Sequence, residues 1–220
     1  MSKFPTSPRN KVKRLPKRGH YDEATVHAML DAGFLCHISF VMDGQPFIIP
    51  TAFGRDGNHI YLHGSSKSRM MLHLAEGHPA CIAVSHVDAL VLARSIFHHS
   101  VNYRSAVLFG KGEKVEGEEK MHGLRVVSDQ ILKGRWGEVR EPNEQEMKAT
   151  TVIRFTIEAA SAKVRTGPPG DDEPDYALPI WAGLLPLQQT WGDPVADPLL
   201  TPGISPGASV TDASGKTPNT

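Results

Sequence analysis

Phe34-Leu35-Cys36-His37-Ile38-Ser39-Phe40-Val41, Asp43-Gly44, then Pro46-Phe47-Ile48-Ile49-Pro50-Thr51-Ala52-Phe53 is the stretch that decides the fold. Two short apolar runs rich in β-formers flank an Asp-Gly pair, the pattern of a tight β-hairpin. Asp56-Gly57-Asn58 is a second turn signal, and Ile60-Tyr61-Leu62-His63 follows it. Three antiparallel strands joined by short turns form a meander.

Outward from this meander the reading stays β-rich. Upstream, Tyr21-Asp22-Glu23-Ala24 opens a short helix with Val26, Met29 and Leu30 on one face, and Gly33 ends it. Downstream, Met70–Leu74 is a short helix closed by Gly77 and Pro79. Ala80–Ser85, Leu90–Arg94 and Tyr103–Val115 read as strands. Residues 118–132 place Met121, Leu124, Val127, Ile131 and Leu132 at helical spacing. A further helical piece covers 144–149, and Thr151–Ile157 is the last strand, with 162–164 as its extension. Six or seven strands with a few short helices predict an α+β, β-rich chain. A closed or split barrel removes the edges that an open sheet would expose.

The totals bound the function. The chain has 220 residues, 40% hydrophobic and 22% charged, enough for one domain with a core. Its formal net charge is zero, so no global field favours nucleic acid or an acidic membrane. No apolar run approaches the roughly 18 residues that span a bilayer. Cys36 and Cys81 lack CxxC spacing and read as buried thiols of a reducing, cytoplasmic compartment. Residues 1–20 are basic and Pro-rich and read as a flexible arm. Residues 191–220 are rich in Pro, Gly, Ser and Thr and read as a disordered tail. The domain is therefore expected over 21–190.

Two constellations carry candidate chemistry. In His63-Gly64-Ser65-Ser66-Lys67-Ser68-Arg69 a strand ends, a Gly turns the backbone and a helix begins, with three hydroxyls and two cations beside it. That set suits a phosphate, and it is not a Walker loop, because GxxxxGK[ST] is absent. A Ser-capped helix with a solvated basic turn is the competing reading. In Phe97-His98-His99-Ser100-Val101-Asn102-Tyr103-Arg104-Ser105, polar groups crowd the start of an apolar strand, where they can serve a planar ring or act only as a barrel rim. Adjacent His98 and His99 point to opposite faces of an extended chain and gain no support from acids at ligand spacing, so no metal site is expected.

These motifs, with Asp43-Gly44-Gln45-Pro46 to Pro50-Thr51 and Trp181-Ala182-Gly183 before Leu184-Leu185-Pro186-Leu187, resemble the pyridoxamine 5'-phosphate oxidase-like FMN-binding split-barrel family, in its nitroimidazole-resistance-like branch. The resemblance covers about residues 9–190 and implies a six-stranded antiparallel split β-barrel with short flanking helices. It also implies a homodimer with two FMN sites at the subunit interface. Carried over, Ser65, Ser66, Lys67 and Arg69 match the phosphate turn. Pro50 and Thr51 match the strand lying against the flavin ring. Asn102, Tyr103, Arg104 and Ser105 match the stretch that reaches the cofactor across the interface, and Trp181 is placed near the ring. His63 matches a histidine near the flavin and is the one candidate catalytic side chain, as a proton donor. The C-terminal Arg and His pattern of true pyridoxamine-phosphate oxidases is absent, which argues against vitamin B6 chemistry. The function implied is an FMN-dependent oxidoreductase acting on a small-molecule electron acceptor. The alternative is a flavin- or haem-binding module with little turnover, with His37, His63, His98 or His99 as an axial ligand.

Overall fold

The computed structural model describes residues 2–218. Its core is one antiparallel sheet of six long strands: β2 (Leu35–Met42), β3 (Gln45–Ala52), β5 (His59–Ser65), β6 (Pro79–Leu92), β7 (Ser100–Val115) and β8 (Thr150–Arg165). Three short strands extend it: β1 (Gly19–His20) on β8, β4 (Gly54–Asp56) on β5, and β9 (Gly183–Pro186) on β6. The order across the sheet is β3-β2-β6-β7-β8-β5-β4. The two outermost strands, β3 and β4, are consecutive in the chain with Phe53 alone between them. The sheet therefore curls until its ends meet, yet no ladder joins β3 to β4 or β5 among the described residues. This is the split barrel that the sequence predicts.

Local chemistry explains the hairpin. Cys36, Ile38 and Phe40 are buried while Leu35, His37 and Val41 face out, a period of two. Asp43 and Gly44 both take positive φ, 51° and 76°, as a two-residue turn of this hand requires. Pro46 and Pro50 donate no hydrogen bond, and β3 accommodates both because it pairs only with β2.

The sequence reading separates Ala80–Ser85 from Leu90–Arg94, and the structure joins them in β6. A register shift between Val87 and Ala89 bulges the strand there. Likewise 151–157 and 162–164 fall on one strand, β8, with a shift opposite Phe109 and Gly110. The barrel is filled by Ile38, Phe53, Ile60, Leu62, Ile82, Leu108, Ile153 and Phe155, all fully buried. Helix α1 (Glu23–Asp31), N-capped by Asp22, adds Val26, Met29 and Leu30. Helix α2 (Arg69–Ala75) adds Met70, Met71 and Leu74.

Between β7 and β8 the chain makes α3 (Gly117–Ile131), a 3-10 turn over Arg135–Glu138, and α4 (Glu144–Ala149). Helix α3 packs outside the barrel, where Val127 joins Tyr61, Val115 and Val152. Gly54 makes that approach possible, since a Cβ there would sit 2.5 Å from the Val126 carbonyl oxygen.

Both termini make contacts with the barrel domain. In the arm, Phe4 is buried in the core, and buried Asn10 donates to the carbonyls of Pro5 and Ala160, each at 2.9 Å. In the tail, Trp191 stacks on Phe34 with ring centres 5.6 Å apart. Helix α5 (Ala208–Ala213) is tied down by Ser209, whose backbone N–H and hydroxyl both donate to Glu138. Positions 219 and 220 lie outside the described residues.

Candidate functional site

The phosphate-type turn is built at the end of β5. Ser65 is the last β5 residue and pairs with Thr150 at the start of β8. The backbone N–H of Ser66 donates to the Ala149 carbonyl at 2.9 Å, and that of Ser68 closes the turn onto Ser65 at 2.9 Å. Lys67 N–H donates to Ser65 Oγ at 3.3 Å. Ser68 is the N-cap of α2 without a side-chain cap bond, and no acid lies in the first turn of the helix. Buried Met70, Met71 and Leu74 fix the helix to the barrel, which leaves Lys67 and Arg69 facing solvent. Neither side chain has an ion-pair or hydrogen-bond partner among the described residues. The Arg69 guanidinium rests on the ring of Phe47, 4.6 Å from its centre. Two uncompensated cations and three hydroxyls on a rigid turn are a donor set that fits a phosphate monoester or diester.

Pro50 and Thr51 lie on β3, opposite His37 and Cys36, and β3 touches β5. His63 projects from β5 two residues before Ser65. Its edge is open at the mouth of a cavity of about 340 Å³. The walls include Leu124, Val127 and Ile131 of α3, Trp136 of the 3-10 turn, and Met147. These neighbours desolvate the imidazolium and hold the His63 pKa below the ordinary histidine value. Both ring nitrogens are free of other described residues. The sequence reading sees α3 only as an amphipathic helix and misses these wall residues. Nothing in their spacing says which strand their apolar face covers.

The second constellation lies elsewhere. Asn102 is buried, donates to the Gly167 carbonyl at 3.1 Å and accepts from Arg165. Arg104 is held by both oxygens of Asp88, Ser105 Oγ contacts the Lys163 carbonyl at 3.5 Å, and Tyr103 is half-buried opposite Arg165. Trp181, 68% exposed, precedes β9, which pairs with the same stretch of β6 that faces Ser100–Asn102. Thr150 faces Ser65, whereas Lys163 faces Ser105, thirteen residues further along β8. At about 3.3 Å per residue that is roughly 40 Å of strand. Within one chain, Asn102–Ser105 and Trp181 form one group, and His63–Arg69 with its β3 neighbours forms another. Of the other histidines, His37 is exposed on β2, His98 lies 3.3 Å from Asp172, and His99 contacts the Ala93 carbonyl at 3.2 Å.

The family model for pyridoxamine 5'-phosphate oxidase matches residues 22–164, from the cap of α1 to the end of β8. The chain belongs to this family. Two solved structures are similar to almost all of it. The flavocytochrome Anf3 from Azotobacter vinelandii is 39% identical over 96% of this chain and 98% of that one, with a TM-score of 0.87. The FAD- and haem-binding protein from Mycobacterium smegmatis is 34% identical, covering 90% of this chain and 98% of that one, with a TM-score of 0.86. A proposed 5-nitroimidazole antibiotic resistance protein from Bacteroides thetaiotaomicron shares the fold at 21% identity and a TM-score of 0.56, over 65% of this chain and 84% of that one. No curated protein matches the chain. No helix among the described residues is long and apolar enough to cross a membrane.

Proposed function

We propose that this family member is a homodimeric flavoprotein, an oxidoreductase that exchanges electrons with a small-molecule acceptor. The observation that carries the reading is the pair of unpartnered cations, Lys67 and Arg69, on the Ser65–Arg69 turn. A flavin phosphate is the group this turn suits. When bound, the flavin supplies the redox chemistry, and the chain supplies binding, orientation and a proton. Ser65, Ser66, Lys67 and Arg69 hold the phosphate, and Pro50 and Thr51 line the ring. His63 holds or releases a proton at an imidazole nitrogen.

The spacing of the two groups supports a dimer. Asn102–Ser105 stand at the opposite end of β8 from the turn, and in this reading a second copy brings them to the flavin held by the first. Ile48, Trp181 and Leu185 stay 66%, 68% and 56% exposed in the single chain. Such apolar surface suits a two-fold interface.

FMN is the form expected, because the chain has one phosphate turn and no dinucleotide fingerprint. A second reading has a specific observation behind it. The Mycobacterium smegmatis neighbour binds FAD and haem, and the Azotobacter neighbour is a flavocytochrome. In that reading FAD lies with its FMN half on the same turn, and haem is a second prosthetic group. His63 suits it as a ligand, since burial disfavours its charged form and it borders a cavity walled mainly by apolar side chains. Heating the purified protein and weighing the released molecules by mass spectrometry tests the proposal. Release of FMN, or of FAD with or without haem, supports a flavoprotein and selects between the two readings. Release of haem alone, or of no flavin, refutes it.

A further inference from the structure

Arg69 is held in an unusual way for a surface arginine. Its one contact outside its own helix among the described interactions is the ring of Phe47. Phe47 is the cross-strand partner of Phe40 in the β2–β3 hairpin, and their rings stack at 5.5 Å and 19°. Phe40 is 2% exposed and lies against the His73 ring at 4.8 Å. His73 is buried one turn after Arg69 on the same helix. A column of rings therefore runs from the barrel core out to the guanidinium.

The geometry has a chemical consequence. A guanidinium lying on a ring is attracted through its face, and its N–H donors lie in the plane of the group. Among the described interactions, the contact with Phe47 leaves the Arg69 donors without a hydrogen-bond partner. An acidic partner would immobilise Arg69 equally well but would occupy the fork and cancel the charge.

We propose that Phe47 is a positioning residue for the flavin phosphate: it pre-orders Arg69 with its donor fork open, and so favours phosphorylated flavins over riboflavin. The proposal rests on the reading that the Ser65–Arg69 turn takes that phosphate. Phe47 also packs against the barrel core, and its ring is the part that meets the arginine. Lys67 has no comparable support and contributes charge without direction.

The test uses flavin-free protein titrated with FMN and with riboflavin, each followed by flavin fluorescence. Phe47→Leu keeps an apolar side chain and removes the ring. It is expected to weaken FMN about threefold to tenfold and to leave riboflavin unchanged. Phe47→Tyr restores FMN affinity. Once Arg69→Ala has been made, Phe47→Leu costs nothing further, because the residue it positions is gone. Equal weakening of FMN and riboflavin by Phe47→Leu overturns the proposal, as do full additivity with Arg69→Ala and failure of Phe47→Tyr to rescue. Arg69→Lys tests the idea without disturbing the ring column. It keeps the charge and loses the planar fork, so it should bind FMN less well than wild type, and wild-type affinity in this variant also overturns the proposal. If Arg69→Ala leaves FMN affinity unchanged while FMN still binds, the site reading itself fails, a result distinct from those aimed at Phe47.

Discussion

Asn10→Ala measures whether the N-terminal arm is part of the fold. Asn10 is 3% exposed. Its Nδ2 donates to the Pro5 and Ala160 carbonyls at 2.9 Å each, and its Oδ1 accepts from Ser7 N–H at 2.7 Å and Ser7 Oγ at 3.2 Å. Ser7 is half-buried and can turn to water when the amide is removed. Ala160 is fully buried, so its carbonyl loses this bond with no solvent to replace it. Leaving a buried acceptor unsatisfied costs about 1–3 kcal/mol, and the remaining lost bonds add about 1 kcal/mol. The expected loss is about 2–4 kcal/mol. Urea unfolding followed by tryptophan fluorescence reads it as a lower midpoint at unchanged slope. Asn10→Asp keeps the acceptor, loses both donations and buries a charge facing two carbonyls, so it should be at least as damaging. A change below about 0.5 kcal/mol in both variants, the size of an ordinary surface substitution, would refute the reasoning and return the arm to a solvated segment.

Burial pushes the Cys36 thiol up to about 12 and raises that of Cys81 as well. At pH 8 iodoacetamide should therefore label neither in native protein and both in urea, and rapid native labelling of Cys36 would contradict its place in the core. The raised pKa means the folded state keeps the Cys36 proton, so this contribution to stability is intact below pH 9 and declines as pH rises toward 12. Lys67→Ala should weaken FMN by about tenfold to a hundredfold, the scale of a charge-assisted hydrogen bond, and flatten the salt dependence of binding. His63→Ala should keep its flavin and lose about a hundredfold in rate per bound flavin by stopped-flow reduction. Because its pKa lies below the ordinary value, turnover that needs protonated His63 should rise as pH falls into the acid range. A normal rate per flavin would remove the one candidate catalytic side chain.

The hairpin, the position of most strand segments and the helices at 118–132 and 144–149 were legible because each has a local cause: Asp43-Gly44, period-two burial, or apolar residues at helical spacing. The reading broke where local polarity misled it. Asp88 interrupts an apolar run and suggests two strands, but a bulge lets β6 continue through it and leaves Asp88 to grip Arg104. At the termini, composition and contacts carry different information. Average composition does not reveal single contacts such as those of Phe4, Asn10, Trp191 and Ser209. At the site, the turn at Ser65–Arg69 is contiguous in sequence and could be read directly. The wall around His63 comes from α3, the following 3-10 turn and α4, some sixty or more residues later, and no periodicity reveals which surface those helices cover. Phe47 escaped notice because its role depends on a register, Phe40 opposite Phe47, and on α2 folding back over that hairpin.

Sedimentation velocity recorded at once in the ultraviolet and at the blue absorption band of flavin tests the central claim most directly. The account predicts a single boundary in which the flavin colour travels with a species of twice the 24.0 kDa chain, at one flavin per subunit. Flavin colour at full occupancy on a single-chain species would contradict the two-subunit site, and a colourless protein that takes up no added FMN or FAD would contradict the flavoprotein reading itself.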